Sequence, residues 1–288
     1  MTEQIIVGAD GSGPSARAVA WAADEAARLG CELRIVHVVE KWGFDVPLTA
    51  APGEARSLSR EGSETLAAAE RIAHSRRPEV PVSVDLASGR TVRVLADRSE
   101  RALELVVGHR GLGGFAGLLL GSVGLGAVRH TACPVVVVRG EQAGGRREIA
   151  VGVGLGDDSA ALEYAFRVAD VRHARLRAVH AWPFSEALDE AGAGADLRHI
   201  EERARWRVIE AHAPMRKRFP GVEVVEHIVQ DNPAAALVTA SRDVDLVIAG
   251  SHTREGLTVP RSRAVTHALI HHAHCPAAIV PMGGEPAS

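Results

Sequence analysis

The sequence is poor in the residues on which several kinds of protein depend. It has 3 cysteines, Cys31, Cys133 and Cys275, far apart and without a C-x-x-C pair. That excludes a disulfide framework, and a sparse, odd count suits a reducing compartment. Aromatic residues are 3% of the chain, and Trp21, Trp42, Trp182 and Trp206 are too scattered to stack successive bases. Lysine occurs only at Lys41 and Lys217, neither in a glycine-rich loop, so there is no G-x-x-x-x-G-K-[ST] phosphate loop. No apolar run approaches membrane-spanning length. Met1-Thr2-Glu3-Gln4 runs straight into Ile5-Ile6-Val7, with no basic region and no cleavable apolar segment, so the expected location is the cytoplasm. Charge of one sign is lacking too. A formal net charge of −3 gives no basic field for nucleic acid or an anionic membrane. What is left is ordinary globular composition, 46% hydrophobic and 24% charged, long enough for two domains.

Periodicity then orders the first half. Gln4 to Ala9 reads as a short strand ending in the turn cluster Asp10-Gly11-Ser12-Gly13-Pro14. Ser15 to Leu29 places Ala18, Val19, Ala22, Ala26 and Leu29 at helical spacing, with Gly30 as a stop. Leu33 to Val39 is the next strand. Lys41 to Arg56, with Pro47 and Pro52 and no period, reads as a loop, and Leu58 to Arg76 as a helix. Strands at Val80 to Leu86, Leu103 to Gly108 and Pro134 to Arg139 alternate with helices at Thr91 to Arg98 and Ser122 to His130. Strands alternating with helices imply a parallel sheet covered on both faces.

The pattern then starts again beyond the polar stretch Gly140 to Arg147. Ile149-Ala150-Val151-Gly152-Val153 restates Ile5-Ile6-Val7-Gly8-Ala9, and Arg177 to Ala181 restates Arg34 to Val38. Leu246 to Gly250 restates Glu104 to Gly108, and Ala273-His274-Cys275-Pro276 restates Thr131-Ala132-Cys133-Pro134. The chain is a tandem duplication of one α/β unit. The second copy carries a different loop, Pro183 to Asp196, before a helix over Leu197 to Arg218.

The stretch from Val106 to Val123 holds the chemistry. A buried-type strand leads into a glycine-dense loop, and the loop into a helix headed by Ser122. Glycines let a backbone approach a ligand closely, and a helix start offers N–H groups and partial positive charge. Glycines alone would describe an empty surface loop equally well. The spacing Gly108-x2-Gly111-x9-Gly121-Ser122 tips the reading toward a phosphate cradle.

Together with Val7-Gly8-Ala9-Asp10-Gly11-Ser12, Val36-His37-Val38 and Cys133-Pro134-Val135-Val136-Val137-Val138, this spacing resembles a universal stress protein domain. The resemblance covers the chain as two domains, 1–140 with the motif intact and 147–284 with it degenerate. It implies an α/β fold of two tandem Rossmann-like domains, each a five-stranded parallel sheet in the order 3-2-1-4-5 with helices on both faces. It also implies ATP, or a related adenine nucleotide, across the carboxyl ends of the first and fourth strands, with Mg2+ left open. By position, Ala9 and Asp10 would meet the adenosine end, and Val38 would offer its backbone to the adenine edge. Gly108, Gly111 and Gly121 would line ribose and phosphates, with His109 beside them. Ser122 and Val123 would donate to phosphate oxygens. Pairing through the last strand is implied as well, here between the two domains of one chain, with a homodimer left open.

The second copy departs from the motif. Aligned without a gap, Gly111 becomes Thr253, Gly121 becomes Arg263, Ser122 becomes Ala264 and Asp10 becomes Gly154. One nucleotide per chain is therefore expected. No nucleophile is paired with an evident base near the loop, which favours a nucleotide-dependent stress-response regulator over an enzyme. A slow ATPase, a cAMP-binding regulator and a scaffold with a vestigial site are the alternatives. His267, His271, His272 and His274 bring metal to mind, yet the first half has only His130 there, and no metal site is expected. The basic residues between Arg203 and Arg218 are interspersed with Glu201, Glu202 and Glu210, as on a solvated helix face.

Overall fold

Short β-branched runs and longer alanine-rich runs become strands and helices in the order in which they are written. The computed structural model describes residues 3–40, 52–111, 122–140, 145–154, 156, 158–182, 197–254, 257–258 and 260–282. They fall into two units, Met1–Val138 and Arg139–Ser288. The first comprises β1 (Gln4–Gly8), α1 (Gly13–Leu29), β2 (Glu32–Val39), α2 (Pro52–Arg76) and β3 (Val82–Ser88). It continues with α3 (Thr91–Ser99), β4 (Glu104–Gly108), α4 (Ser122–His130) and β5 (Val135–Val138). Every ladder is parallel and the order is β3-β2-β1-β4-β5, as the resemblance implied.

Burial explains the patterns. Ile5, Ile6 and Val7 of β1, Leu105 and Val106 of β4 and all of β5 are buried, so inner strands read as unbroken apolar runs. At the sheet edge β3 alternates, and Val84 and Leu86 are exposed. Helix α1 opens on Ser12, whose side chain accepts from Ser15 N–H, and closes on Gly30 at φ 64°, the left-handed geometry that favours glycine. One expectation is corrected. Helix α2 begins at Pro52 rather than Leu58, because proline lacks an N–H that the first helical turn would leave unbonded anyway. A residue read as a loop marker is a helix opener.

Charged residues tie the layers together. Asp24 of α1, buried, takes Arg76 at 2.8 Å and Arg77 at 2.7 Å from the end of α2. Burial alone would raise its carboxyl, but hydrogen bonds and charge from the two guanidiniums outweigh that and hold it below its ordinary value. Asp85 of β3 likewise joins Arg34 of β2 and Arg98 of α3, each at 2.7 Å.

The second unit comprises β6 (Glu148–Gly152), α5 (Ser159–Arg172), β7 (Arg175–Ala181), α6 (Leu197–Arg218) and β8 (Val224–Val229). After these come α7 (Pro233–Ala240), β9 (Leu246–Arg254), β10 (Leu257–Thr258), α8 (Pro260–His272) and β11 (Ala277–Met282). Its parallel order, β8-β7-β6-β9-β11, repeats the first. The two-residue β10 is an addition to the five expected strands and runs antiparallel to β9. The repeat extends to packing. A Cβ on Gly8 would touch Leu95 of α3, and one on Gly152 would touch Leu237 of α7. Cys133 and Cys275 are buried at matching strand entrances, where burial pushes their thiols up to about 11 and about 12. They are inert packing residues rather than nucleophiles.

Candidate functional site

The order 3-2-1-4-5 puts a reversal between β1 and β4, so the loops that leave these neighbouring strands diverge. Their carboxyl ends are therefore the usual ligand position in an open α/β sheet. Asp10 stands at the end of β1. Its N–H donates to Ser15 Oγ at 3.3 Å, and its Oδ1 accepts the Ser12 N–H at 2.9 Å. One carboxylate oxygen is thus pinned by the turn. The other, Oδ2, lies against Gly111 from the β4 loop, so close that a Cβ on Gly111 would overlap it. Two residues far apart in sequence, both assigned to the site from the motif, meet across the switch point.

Gly108, at the end of β4, has a different reason to be glycine. A Cβ there would stand 2.8 Å from the carbonyl carbon of Pro14 and 3.0 Å from Ser15 N. The first turn of α1 lies directly on this strand end, so the close approach is made by the protein's own backbone. His109 N–H donates to Val138 O at 3.2 Å, and its ring Nδ1 lies 3.3 Å from the same oxygen, which turns the imidazole toward β5. Val38 lies near the end of β2, half-buried, in register with Ala87. Gly121 and the side chain of Ser122 lie outside the described residues. The backbone of α4 begins at Ser122, and Val123 in its first turn is half-buried.

Sequence reasoning passed over one residue here. His37 Nδ1 lies 2.7 Å from the carbonyl oxygen of Ala9, so that nitrogen carries the hydrogen and donates. The bond holds the peptide that carries Asp10, and Ala9 itself is buried. The second unit makes the same bond, from His180 Nδ1 to Val153 O at 2.8 Å. The signal was available, since the two histidines align in the repeat. Burial, the main influence, holds His180 below its ordinary value, so it is neutral at pH 7.

The corresponding place in the second unit is built otherwise. Gly154 brings no carboxylate, and its N–H donates to Asp158 Oδ2 at 2.7 Å. Beside Gly250 lies the side chain of Met282, whose Cγ would be 2.8 Å from an added Cβ. Arg263 in the first turns of α8 is exposed. The indole of Trp182, just past β7, is buried. Where Asp10 stands in the first unit, the second has a backbone N–H bonded to the residue that precedes α5.

Comparisons with known proteins agree with this duplication. The model of the universal stress protein family matches residues 1–139 and again 145–281. The universal stress protein Rv2005c of Mycobacterium tuberculosis is 32% identical over 282 residues, covering 94% of this chain and 95% of that protein. The universal stress protein Rv2623 of the same organism is 34% identical over 264 residues, covering 88% and 87%. Among solved structures, a universal stress protein from Archaeoglobus fulgidus superposes with a TM-score of 0.71 at 20% identity, covering 98% of this chain and 100% of that one.

Proposed function

The chain belongs to the universal stress protein family, and from that premise we propose that its first unit binds one adenine nucleotide, ATP, as a regulatory ligand. The observation that carries the reading is the meeting of Asp10 and Gly111 at the β1/β4 switch point. Gly111, having no Cβ, lets the pinned carboxylate stand at the switch point, where it can accept hydrogen bonds from a ligand's hydroxyls. In this reading Asp10 accepts from the ribose hydroxyls, and Val38 offers its backbone to the adenine edge. The phosphates run toward the start of α4, where the backbone N–H groups of Ser122 and Val123 receive them. The cation that accompanies ATP, Mg2+ in a cell, would neutralise phosphate charge there.

Occupancy is the output of such a site. A ligand that binds the folded unit and not the unfolded one stabilises it and biases any two-state element toward the bound form. The second unit is the empty partner. It lacks the carboxylate at 154, uses Asp158 to close its turn, and fills the space beside Gly250 with Met282.

The test begins with mass spectrometry of small molecules released on denaturing the purified chain, followed by calorimetric titration with ATP, AMP and cAMP. One equivalent of ATP, lost in Asp10→Ala, is the expected result. Failure of any adenine nucleotide to bind would sink the proposal, and two equivalent sites would overturn the division of labour. Tighter binding of cAMP than of ATP would replace the ligand. Sustained turnover, abolished by Gly121→Ala, would replace the regulatory role with a slow hydrolase.

A further inference from the structure

Of the 14 histidines, four crowd into residues 267–274, where the matching stretch of the first unit has only His130. The structure adds two facts to that bias. His267 and His271 lie one turn apart on α8, with ring centroids 3.9 Å apart and planes inclined by 32°. The Nε2 of His271 is buried and has no hydrogen-bond partner among the described residues. A covered ring nitrogen without a partner is costly, and an ion that accepted its lone pair would remove the cost.

We propose that His267 and His271 form a two-donor site for a divalent transition-metal ion that prefers imidazole, Ni2+, Cu2+ or Zn2+, with solvent completing the coordination. Histidines at i and i+4 share one helix face, the arrangement helical metal sites use. His267 is exposed and can swing its ring off that of His271 to admit the ion. The class of ion follows from the surroundings. The neighbours acting on His271 are His267, His272 and Arg139, and among the described residues no carboxylate acts on it. Hard ions held by oxygen and charge, Mg2+ and Ca2+, are therefore disfavoured, and the ion is held by nitrogen donor bonds instead. Among the described residues no group of three His, Cys, Asp or Glu donors is gathered, so the site has the affinity of a chelating pair rather than of a closed cage.

The site sits on a turn that is already braced. Arg139 donates to Ala273 O at 3.1 Å and to Ile270 O, capping the carboxyl end of α8. An ion across His267 and His271 clamps the preceding turn, and since the unfolded chain holds no such pair, binding stabilises the second unit.

The full chain is titrated with NiCl2 by calorimetry at pH 7.5 and melted in Ni2+, in Mg2+ and in EDTA. A saturable site of one Ni2+ and a higher melting temperature in Ni2+ than in Mg2+ or EDTA are expected. His267→Ala and His271→Ala should each weaken Ni2+ on the order of 100-fold, the advantage of a second linked donor, and His130→Ala should not. A Cu2+ electron paramagnetic resonance spectrum should show nitrogen coupling that either alanine variant reduces. His267 is exposed, so its replacement leaves the fold intact in EDTA and decides the matter even if His271→Ala softens the helix. Absence of saturation, or wild-type affinity in His267→Ala, overturns the proposal.

Discussion

Replacing Gly111 by alanine separates a ligand site from a mere turn. The new Cβ would overlap Asp10 Oδ2, a contact that one of the two groups must relieve. The carboxylate cannot swing away freely, because Oδ1 accepts the Ser12 N–H at 2.9 Å. Gly111 itself does not hold a left-handed φ, so alanine adds no backbone strain there, and the fold should lose less than about 1 kcal/mol. Binding should lose more. A displaced Asp10 forfeits a charge-assisted hydrogen bond to the ligand, worth about 1.5–3 kcal/mol, which is roughly a 10- to 150-fold loss of ATP affinity. Calorimetry measures the affinity and thermal melting without nucleotide checks the fold. The double variant supplies the sharper check. If Gly111→Ala acts only through Asp10, then adding it to Asp10→Ala should cost almost nothing further. Full additivity of the two losses, or wild-type affinity in Gly111→Ala, would refute the reasoning.

Gly108→Ala presses on the immobile backbone of Pro14 and Ser15, whereas Gly250→Ala presses on the flexible side chain of Met282. Chemical denaturation should show the first costing about 1–3 kcal/mol and the second clearly less. Asp24→Asn removes the shared partner of Arg76 and Arg77, whose side chains are about half exposed, so a loss near 1 kcal/mol is expected, with a melting shift of about 2–4 °C. Because the carboxyl is held below its ordinary 3.8, that contribution is present above this value and disappears as pH falls through the depressed one; equal acid sensitivity in Asp24→Asn would contradict it. In the second unit burial depresses His180 and His212 below 6.5. The unfolded chain therefore binds protons first as pH falls, and this unit should lose stability from about pH 6.5 downward. Calorimetric melts at pH 7.5 and pH 5.5 that coincide would refute that sign.

Much of the architecture was legible in the residues. Short unbroken β-branched runs such as Val135–Val138 read as strands buried on both faces, and their alternation with alanine-rich helices leaves little besides a parallel sheet. The duplication was legible because the two halves keep the same buried residues at the same spacing. Where local signals mislead, the cause is positional. Pro52 reads as a breaker but opens α2, since a proline's effect depends on which turn it occupies. Leu257–Thr258 carried no strand signal of its own, and pairing with Arg254 and Thr253 makes it one.

The site divides in the same way. Asp10, Gly108 and Gly111 were named from the glycine motif and the family resemblance, but a motif does not distinguish a glycine kept for α1 from a glycine kept for Asp10. The structure makes that distinction, placing Pro14 over Gly108 and the carboxylate over Gly111. Nor does the aligned loss of Asp10 at Gly154 reveal that Asp158 takes over the turn, or that His37 and His180 hold matching carbonyls. The sequence by itself determined the five repeated strands of each half, most of the helix spans, the repeat and the family, because those rest on burial and backbone preference, which act over a few residues at a time. Only the tertiary structure decided which glycine serves packing, which serves the crevice and which histidines touch, because those depend on atoms brought together from distant parts of the chain.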